Sequence, residues 1–235
     1  MFNEKFFKIL FFVLIVGAGV YYAYPTELSQ AQRMAYLKSY GVTLELTIGG
    51  ILIGIALGFL LAFLRFLNIK PLTFVIDEYI DILRGTPLML QLIIFAFVVF
   101  VAFESIYAAI IALGLNSSAY IAEIVRSGIN SVDRGQMEAA RAMGLNYASA
   151  MRLIIIPQAT KNILPALANE FISLFNETSI VGLIGIFDIT MQSRNFQSTL
   201  FSPKPLIFAG IVYYVSVKFL SLLAKILERR LNCND

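Results

Sequence analysis

The chain has 235 residues, of which 59% are hydrophobic and only 14% charged, against roughly a quarter charged in soluble domains. That balance excludes an ordinary soluble domain and describes an integral membrane protein. The absence of His removes histidine-based metal or acid–base chemistry, the single Cys233 removes any intramolecular disulfide, and the net charge of +3 is too small to argue for nucleic acid.

Apolar runs long enough to cross a hydrocarbon core of about 30 Å, which takes roughly 20 helical residues, lie near 6–25, 42–64, 74–103, 105–126, 163–187 and 206–224. An all-α integral membrane fold with about six transmembrane helices is therefore expected. Lys5 and Lys8 ahead of the first run also fit a signal peptide, but Tyr21-Tyr22-Ala23-Tyr24-Pro25 offers no small-residue cleavage site, which favours an uncleaved anchor. Residues 26–40, with Glu27, Gln30, Arg33 and Lys38, read as a short outer amphipathic connector, so that 1–40 forms one unit and 41–230 another. In the second run Gly50, Gly54 and Gly58 recur every four residues, a small-residue stripe that permits close helix contact.

Basic residues set the orientation. With the N-terminus inside, the cytoplasmic side holds Lys5, Lys8, Arg65, Lys70, Arg126, Arg134, Arg141, Arg152, Lys161, Lys225, Arg229 and Arg230, whereas only Arg33, Lys38, Arg194 and Lys204 face out. The positive-inside bias thus places both termini and the polar stretch of about 127–161 in the cytoplasm.

That stretch carries its own helix signals. Asp133 with Gln136 is a capping-box arrangement, the run to Met143 consists of good helix formers, and Gly144 suits a left-handed stop. A helix over about 134–143 is predicted. Asn146 can cap a second one, which Pro157 should end or bend near Ile156 because proline lacks a donor and restricts the residue before it. The result is a stiff elbow, either a partner-docking loop or an amphipathic segment on the lipid surface.

Glu138-Ala139-Ala140-Arg141 with Gly144, followed by Ile154-Ile155-Ile156-Pro157, resembles the signature cytoplasmic loop of permease subunits in ATP-binding-cassette importers. The one departure is Ile156 where the family pattern has leucine. The resemblance implies a type I importer transmembrane domain like those of the methionine and maltose importers, whose loop forms two short helices that dock in a groove of the ATPase subunit. Glu138, Ala139, Ala140, Arg141, Gly144, Ile154, Ile156 and Pro157 would then couple this chain to ATP hydrolysis. Tyr79 through Arg84-Gly85-Thr86-Pro87 to Gln91, Ala119 through Arg126, and Asn169 through Ser179 are similar to the polar amino-acid branch, of histidine, glutamine and arginine type. The resemblance covers roughly residues 40–225. Many members of that branch begin at the equivalent of residue 40, so the first helix is an addition.

Charged and amide side chains inside membrane helices are costly and usually serve a pathway or a paired network. Arg84 lies thirteen residues past Pro71, about 20 Å along a helix, and Thr86 and Gln91 follow it. Asn116, Tyr120 and Glu123 share a face, with Ser117 beside them, and Glu170, Ser173 and Glu177 share another, flanked by Asn169 and Asn176. An amino-acid zwitterion needs a cationic or amide clamp for its carboxylate and an acid for its ammonium, roles open to Arg84 and Glu177. Arg84, Thr86, Gln91, Asn116, Ser117, Asn176 and Glu177 are the candidate substrate-binding residues. Glu123, Arg126 and Glu170 are candidates for gating or structural pairing, and Arg84 has the alternative of pairing with Asp81 or Glu78.

The expected function is a permease subunit, not itself an enzyme, of a polar amino-acid importer in the bacterial cytoplasmic (inner) membrane. No Walker-type glycine loop occurs, so ATP and Mg would sit on a partner ATPase and this chain would carry no cofactor. A second permease chain, the same or homologous, an extracytoplasmic solute-binding protein and membrane lipid complete the implied partners. An importer of another small polar solute, an ion-coupled secondary transporter using Glu170 and Glu177, or an adaptor that anchors an ATPase are the other readings.

Overall fold

The computed structural model describes residues 4–24 and 26–232. Pro25 and Cys233 lie outside the described residues. Among the described residues each of the six apolar runs is largely helical, but two of them are broken. Helices α1 (Glu4–Ala23), α2 (Gln30–Phe66) and α3 (Lys70–Gly85) are followed by α4 (Leu88–Ile94), α5 (Ser105–Asn130), α6 (Arg134–Ala142) and α7 (Tyr147–Ala150). Then come α8 (Ile156–Glu177), α9 (Ile189–Leu200) and α10 (Lys204–Asn232). By length and composition α2, α5 and α10 are each able to cross a membrane, as are two bent pairs, and Leu10–Ala23 is a shorter apolar helix.

Helices α2 and α5 are the central pair, because their sequences bring small residues to one seam. A side chain built on Gly58 would meet Ile121 Cβ at 2.7 Å, and one on Gly114 would meet Ile53 Cβ at 2.6 Å. The predicted glycine stripe therefore sets the helix separation, and Gly114 contributes to it from the opposite side. Where lipid tails are as apolar as leucine, such contact replaces the hydrophobic drive of a soluble core. Leu46, Ile51, Leu113, Ile121, Ile163 and Leu174 fill the core across α2, α5 and α8. Helix α10 packs on α8 and α9, and α1 packs on α10. Ring contacts of Phe12 with Tyr214 and Tyr24 with Phe208 make α1 and α10 antiparallel.

Three expectations change. Residues 30–40 are not a separate connector: Ser29 and Gln32 form a complete capping box, and α2 runs on for 37 residues. The run 74–103 is not one helix, since Thr86-Pro87 turns α3 away from the next segment by 107°. Pro87 has no N–H for an uninterrupted helix, and Thr86 before it is extended at ψ 146°. In the fifth run the α-helix stops at Glu177, tightens into a 3-10 segment over Thr178–Ile184, and bends by 52° into α9. Asp188 caps α9, accepting hydrogen bonds from the backbone N–H groups of Thr190 and Met191.

Candidate functional site

The loop between α5 and α8 holds the first cluster. Asp133 caps α6 by accepting from the Gly135 N–H at 2.7 Å. The reciprocal half of the expected capping box does not form there, because Gln136 instead accepts a hydrogen bond from Gln158 at 3.3 Å. Gly144 ends the helix at φ +85°, the left-handed conformation that favours a residue without a Cβ. Asn146 caps α7 by accepting from the Ser149 N–H at 2.8 Å. Both helix starts and the stop are as the sequence predicts.

Pro157 neither ends nor breaks the second arm. The backbone widens into one π turn over Met151–Ile155, in which the Ile156 N–H reaches Met151 O, and α8 continues from there. A π turn re-registers the ladder where proline supplies no donor. The second arm of the elbow and the helix entering the membrane thus form one rod.

Of the predicted coupling residues, Glu138, Ala139, Arg141, Gly144, Ile156 and Pro157 are exposed, Ile154 is half-buried and Ala140 is buried. Arg141 donates to Leu145 O at 3.3 Å. Ala140 is fully buried, and the two arms of the elbow contact each other, while Met143, Tyr147, Leu153 and Ile156 stand out as exposed large apolar side chains. Exposed apolar side chains at the end of a membrane helix suit contact with a partner protein or with lipid. Sequence spacing does not single them out, because the four residues come from different turns of the elbow.

The second cluster surrounds the α3–α4 break. Gln91 Nε2 donates to Leu83 O at 2.7 Å and to Thr86 Oγ1 at 2.8 Å, and Asn116 Nδ2 donates to Gln91 Oε1 at 2.9 Å and to Leu83 O at 3.2 Å. Thr86 Oγ1 in turn donates to Ile82 O at 2.7 Å. Three predicted substrate-binding residues therefore tie down the carbonyls that the break at Pro87 would leave free. Ser117 is fully buried and donates to Glu170 Oε1 at 2.6 Å, linking α5 to α8.

Arg84 makes no ion pair with Asp81, Glu78 or any other carboxylate of the described residues. Its guanidinium carbon lies 5.4 Å from the centroid of the Tyr120 ring, a cation–π contact. Arg84, Tyr120, Glu123, Ser127 and Asn162 line an open cavity of about 330 Å³ between α3, α5 and α8. Glu123 accepts from Arg126 Nε at 2.7 Å and also from Nη2, so the expected pair exists. It belongs to a larger group: Arg65 Nη1 lies 4.0 Å from Glu123, and Arg65 Nη2 lies 3.0 Å from Asp77 Oδ1. The Arg65–Asp77 pair joins α2 to α3 and has no signature in sequence spacing.

Along α8, Asn162, Asn169, Ser173 and Asn176 recur at i, i+7, i+11 and i+14, one stripe on a 3.6-residue helix, and all four are exposed. Asn162 donates to Ser131 Oγ at 2.8 Å; the other three make no side-chain hydrogen bond among the described residues. Glu170 and Glu177 lie along one flank. Glu177 is half-buried, and its carboxylate has no hydrogen bond or ion pair within the described residues. The structure brings Arg84 and Glu123 into one cavity and Glu170 and Glu177 onto one helix flank.

Comparison with known proteins agrees with this architecture. Residues 50–232 match the family described as binding-protein-dependent transport system inner membrane component. The arginine transport system permease protein ArtQ of Bacillus subtilis is 39% identical over 204 residues, spanning 85% of this chain and 93% of that protein. The L-cystine transport system permease protein TcyB of the same organism is 34% identical, spanning 89% and 92%. A crystal structure described as an amino acid ABC transporter with histidines superposes with a TM-score of 0.80 at 41% identity, covering 84% of this chain and 94% of that one. A chain of an inward-facing methionine ABC transporter superposes with a TM-score of 0.70 at 20% identity over 87% and 99%, a likeness of fold.

Proposed function

The chain belongs to the family of binding-protein-dependent transport system inner membrane components, and from that premise we propose that it moves a polar amino acid inward through the polar stripe of α8. The family makes it a multi-pass permease subunit of an ABC importer in the inner membrane, with no catalytic activity of its own. The amino-acid cargo is supported by relatives whose names carry arginine and cystine.

The observation that carries the pathway is the exposure of Asn169, Ser173 and Asn176 on a helix that lies within a membrane-spanning segment. Polar side chains facing hydrocarbon without partners each cost several kcal/mol, on the order of 2–7, so the stripe faces water, cargo or a second permease chain. Glu177 on its flank supplies a carboxylate for the cargo ammonium, while Arg84 with Tyr120 supplies a cation in the separate cavity that α8 borders at Asn162, nearer the loop.

Coupling follows from the rod. ATPase subunits holding ATP and Mg dock on the elbow, against the exposed apolar side chains of Met143, Tyr147, Leu153 and Ile156, and their closure swings the loop. Because α7, the π turn and α8 follow one another as a single helical stretch, the displacement travels toward the polar stripe along that helix, past Pro165. An extracytoplasmic binding protein delivers cargo to the opposite face, with both termini and the loop on the cytoplasmic side. The cargo shifts this equilibrium only through its differential affinity for the two states.

The test is to purify the chain from its native membrane, identify what copurifies, and measure ATP-dependent uptake of isotope-labelled amino acids by the complex in liposomes. Saturable amino-acid uptake that needs ATP and the ATPase carries the reading. Uptake driven by an ion gradient with no ATPase present would replace it with secondary transport.

A further inference from the structure

The end of the molecule opposite the loop contains a cavity unrelated to the polar stripe. It encloses about 400 Å³ between the first turns of α2 and the start of α10, within the range of small-molecule sites. Leu28, Leu37, Phe208 and Val212 make its walls apolar, while Arg33 and Tyr24 stand exposed at its rim.

Arg33 is held but not neutralised. Its Nε donates to Leu28 O at 3.1 Å and its Nη2 to Thr26 O at 3.3 Å, and its guanidinium carbon lies 5.8 Å from the Tyr24 ring centroid. Two of the five N–H donors are used by these bonds; no carboxylate of the described residues pairs with the charge. The backbone bonds fix the guanidinium in place, so it is preorganised for an anion.

Helix length sets the level of this site. Arg33 and Arg65 lie 32 residues apart on α2, about 48 Å at a rise of 1.5 Å per residue. At the ordinary tilt of about 20° that spans the bilayer of about 40–45 Å measured with its headgroups. With Arg65 at one headgroup layer, Arg33 stands in the other, and the apolar cavity opens beside it toward the acyl region.

We propose that this cavity is a phospholipid site in the leaflet opposite the loop, with the phosphodiester on Arg33 and one acyl chain between Leu37, Phe208 and Val212. The charge of Arg33 and the apolar walls match the two ends of one glycerophospholipid, and arginine binds phosphate oxygens with paired N–H donors. A bound lipid there clamps the end of α1, through Tyr24, against α2 and α10.

The test uses the full chain with its copurifying partners, stripped of lipid in detergent and titrated with phosphatidylglycerol, the matching diacylglycerol or inorganic phosphate. Native mass spectrometry counts retained molecules and thermal unfolding reads stabilisation. The expected result is one phosphatidylglycerol per chain, no retention of diacylglycerol and no competition by phosphate. Arg33→Gln should weaken retention about tenfold or more, equivalent to about 1.4 kcal/mol, and Val212→Phe should do the same by filling the cavity while leaving Arg33 and its backbone bonds intact. Unchanged copurification of partners verifies that both variants fold. Equal retention in both variants, retention of diacylglycerol, displacement by phosphate alone, or no lipid on the wild-type chain would each overturn the proposal.

Discussion

Glu177 and Gly144 carry opposite kinds of single-residue demand. Glu177 has a half-buried carboxylate without a protein partner among the described residues, so its charge is available to a cargo ammonium. Glu177→Gln preserves shape and removes the charge, and losing a charge-assisted hydrogen bond of about 1.5–3 kcal/mol should reduce amino-acid uptake by roughly tenfold to a hundredfold. ATPase copurification should be unchanged, and uptake kinetics equal to wild type would exclude the role. Gly144 demands backbone freedom instead, at φ +85° on an exposed corner where an added Cβ would meet nothing within 4 Å. Gly144→Asp introduces a left-handed non-glycine residue, costing on the order of 1 kcal/mol, and places a charge at the docking corner. We expect hydrolysis that no longer responds to loaded binding protein, read from ATPase rates with and without it; normal stimulation would remove the corner from the coupling path.

At the scale of elements, the α2–α5 seam and the α3–α4 break show what can be read from sequence. Gly50, Gly54 and Gly58 are legible as a packing stripe because small residues every four positions have one common physical use in a membrane. Gly58→Leu would force a side chain into Ile121 and the Ser118 carbonyl, 2.7 and 2.9 Å from its Cβ. Overpacking of about 1–3 kcal/mol should lower the thermal midpoint of the purified chain and its yield; an unchanged midpoint would mean the seam relaxes freely. The cap at Asn146 and the stop at Gly144 are equally legible, since each is a local rule. The break at Thr86-Pro87 is hidden by hydropathy, which stays high across residues 74–103, although Pro87 itself is the signal. The amides at Gln91 and Asn116 read as pathway groups because residue type announces polarity and not its partner. Only tertiary placement shows that they satisfy Leu83 and Thr86. The Arg65–Asp77 contact is invisible in sequence for the same reason, being a pairing between two helices. The continuity of α7 with α8 escapes a rule that is statistically sound, because a π turn absorbs the missing proline donor.

For the whole molecule the arrangement separates two surfaces along one rod. The loop end exposes Met143, Tyr147, Leu153 and Ile156, which suits a partner protein, and the membrane portion exposes Asn169, Ser173 and Asn176, which suits polar cargo. If the two surfaces have these separate uses, they fail separately. Leu153→Glu puts a charge in the apolar dock at a site 63% exposed, so the chain should still fold while its ATPase no longer copurifies. Ser173→Leu makes the stripe apolar at an exposed position of α8, so the ATPase should copurify normally while amino-acid uptake falls. Copurification and uptake measured on both variants decide between this division and its rivals. An adaptor that merely anchors an ATPase predicts no transport for Ser173→Leu to lose, and a secondary transporter predicts that Leu153→Glu leaves ion-driven uptake intact. Loss of both activities in both variants would mean that the rod acts as a single indivisible unit, with docking and pathway contributing to one folded assembly.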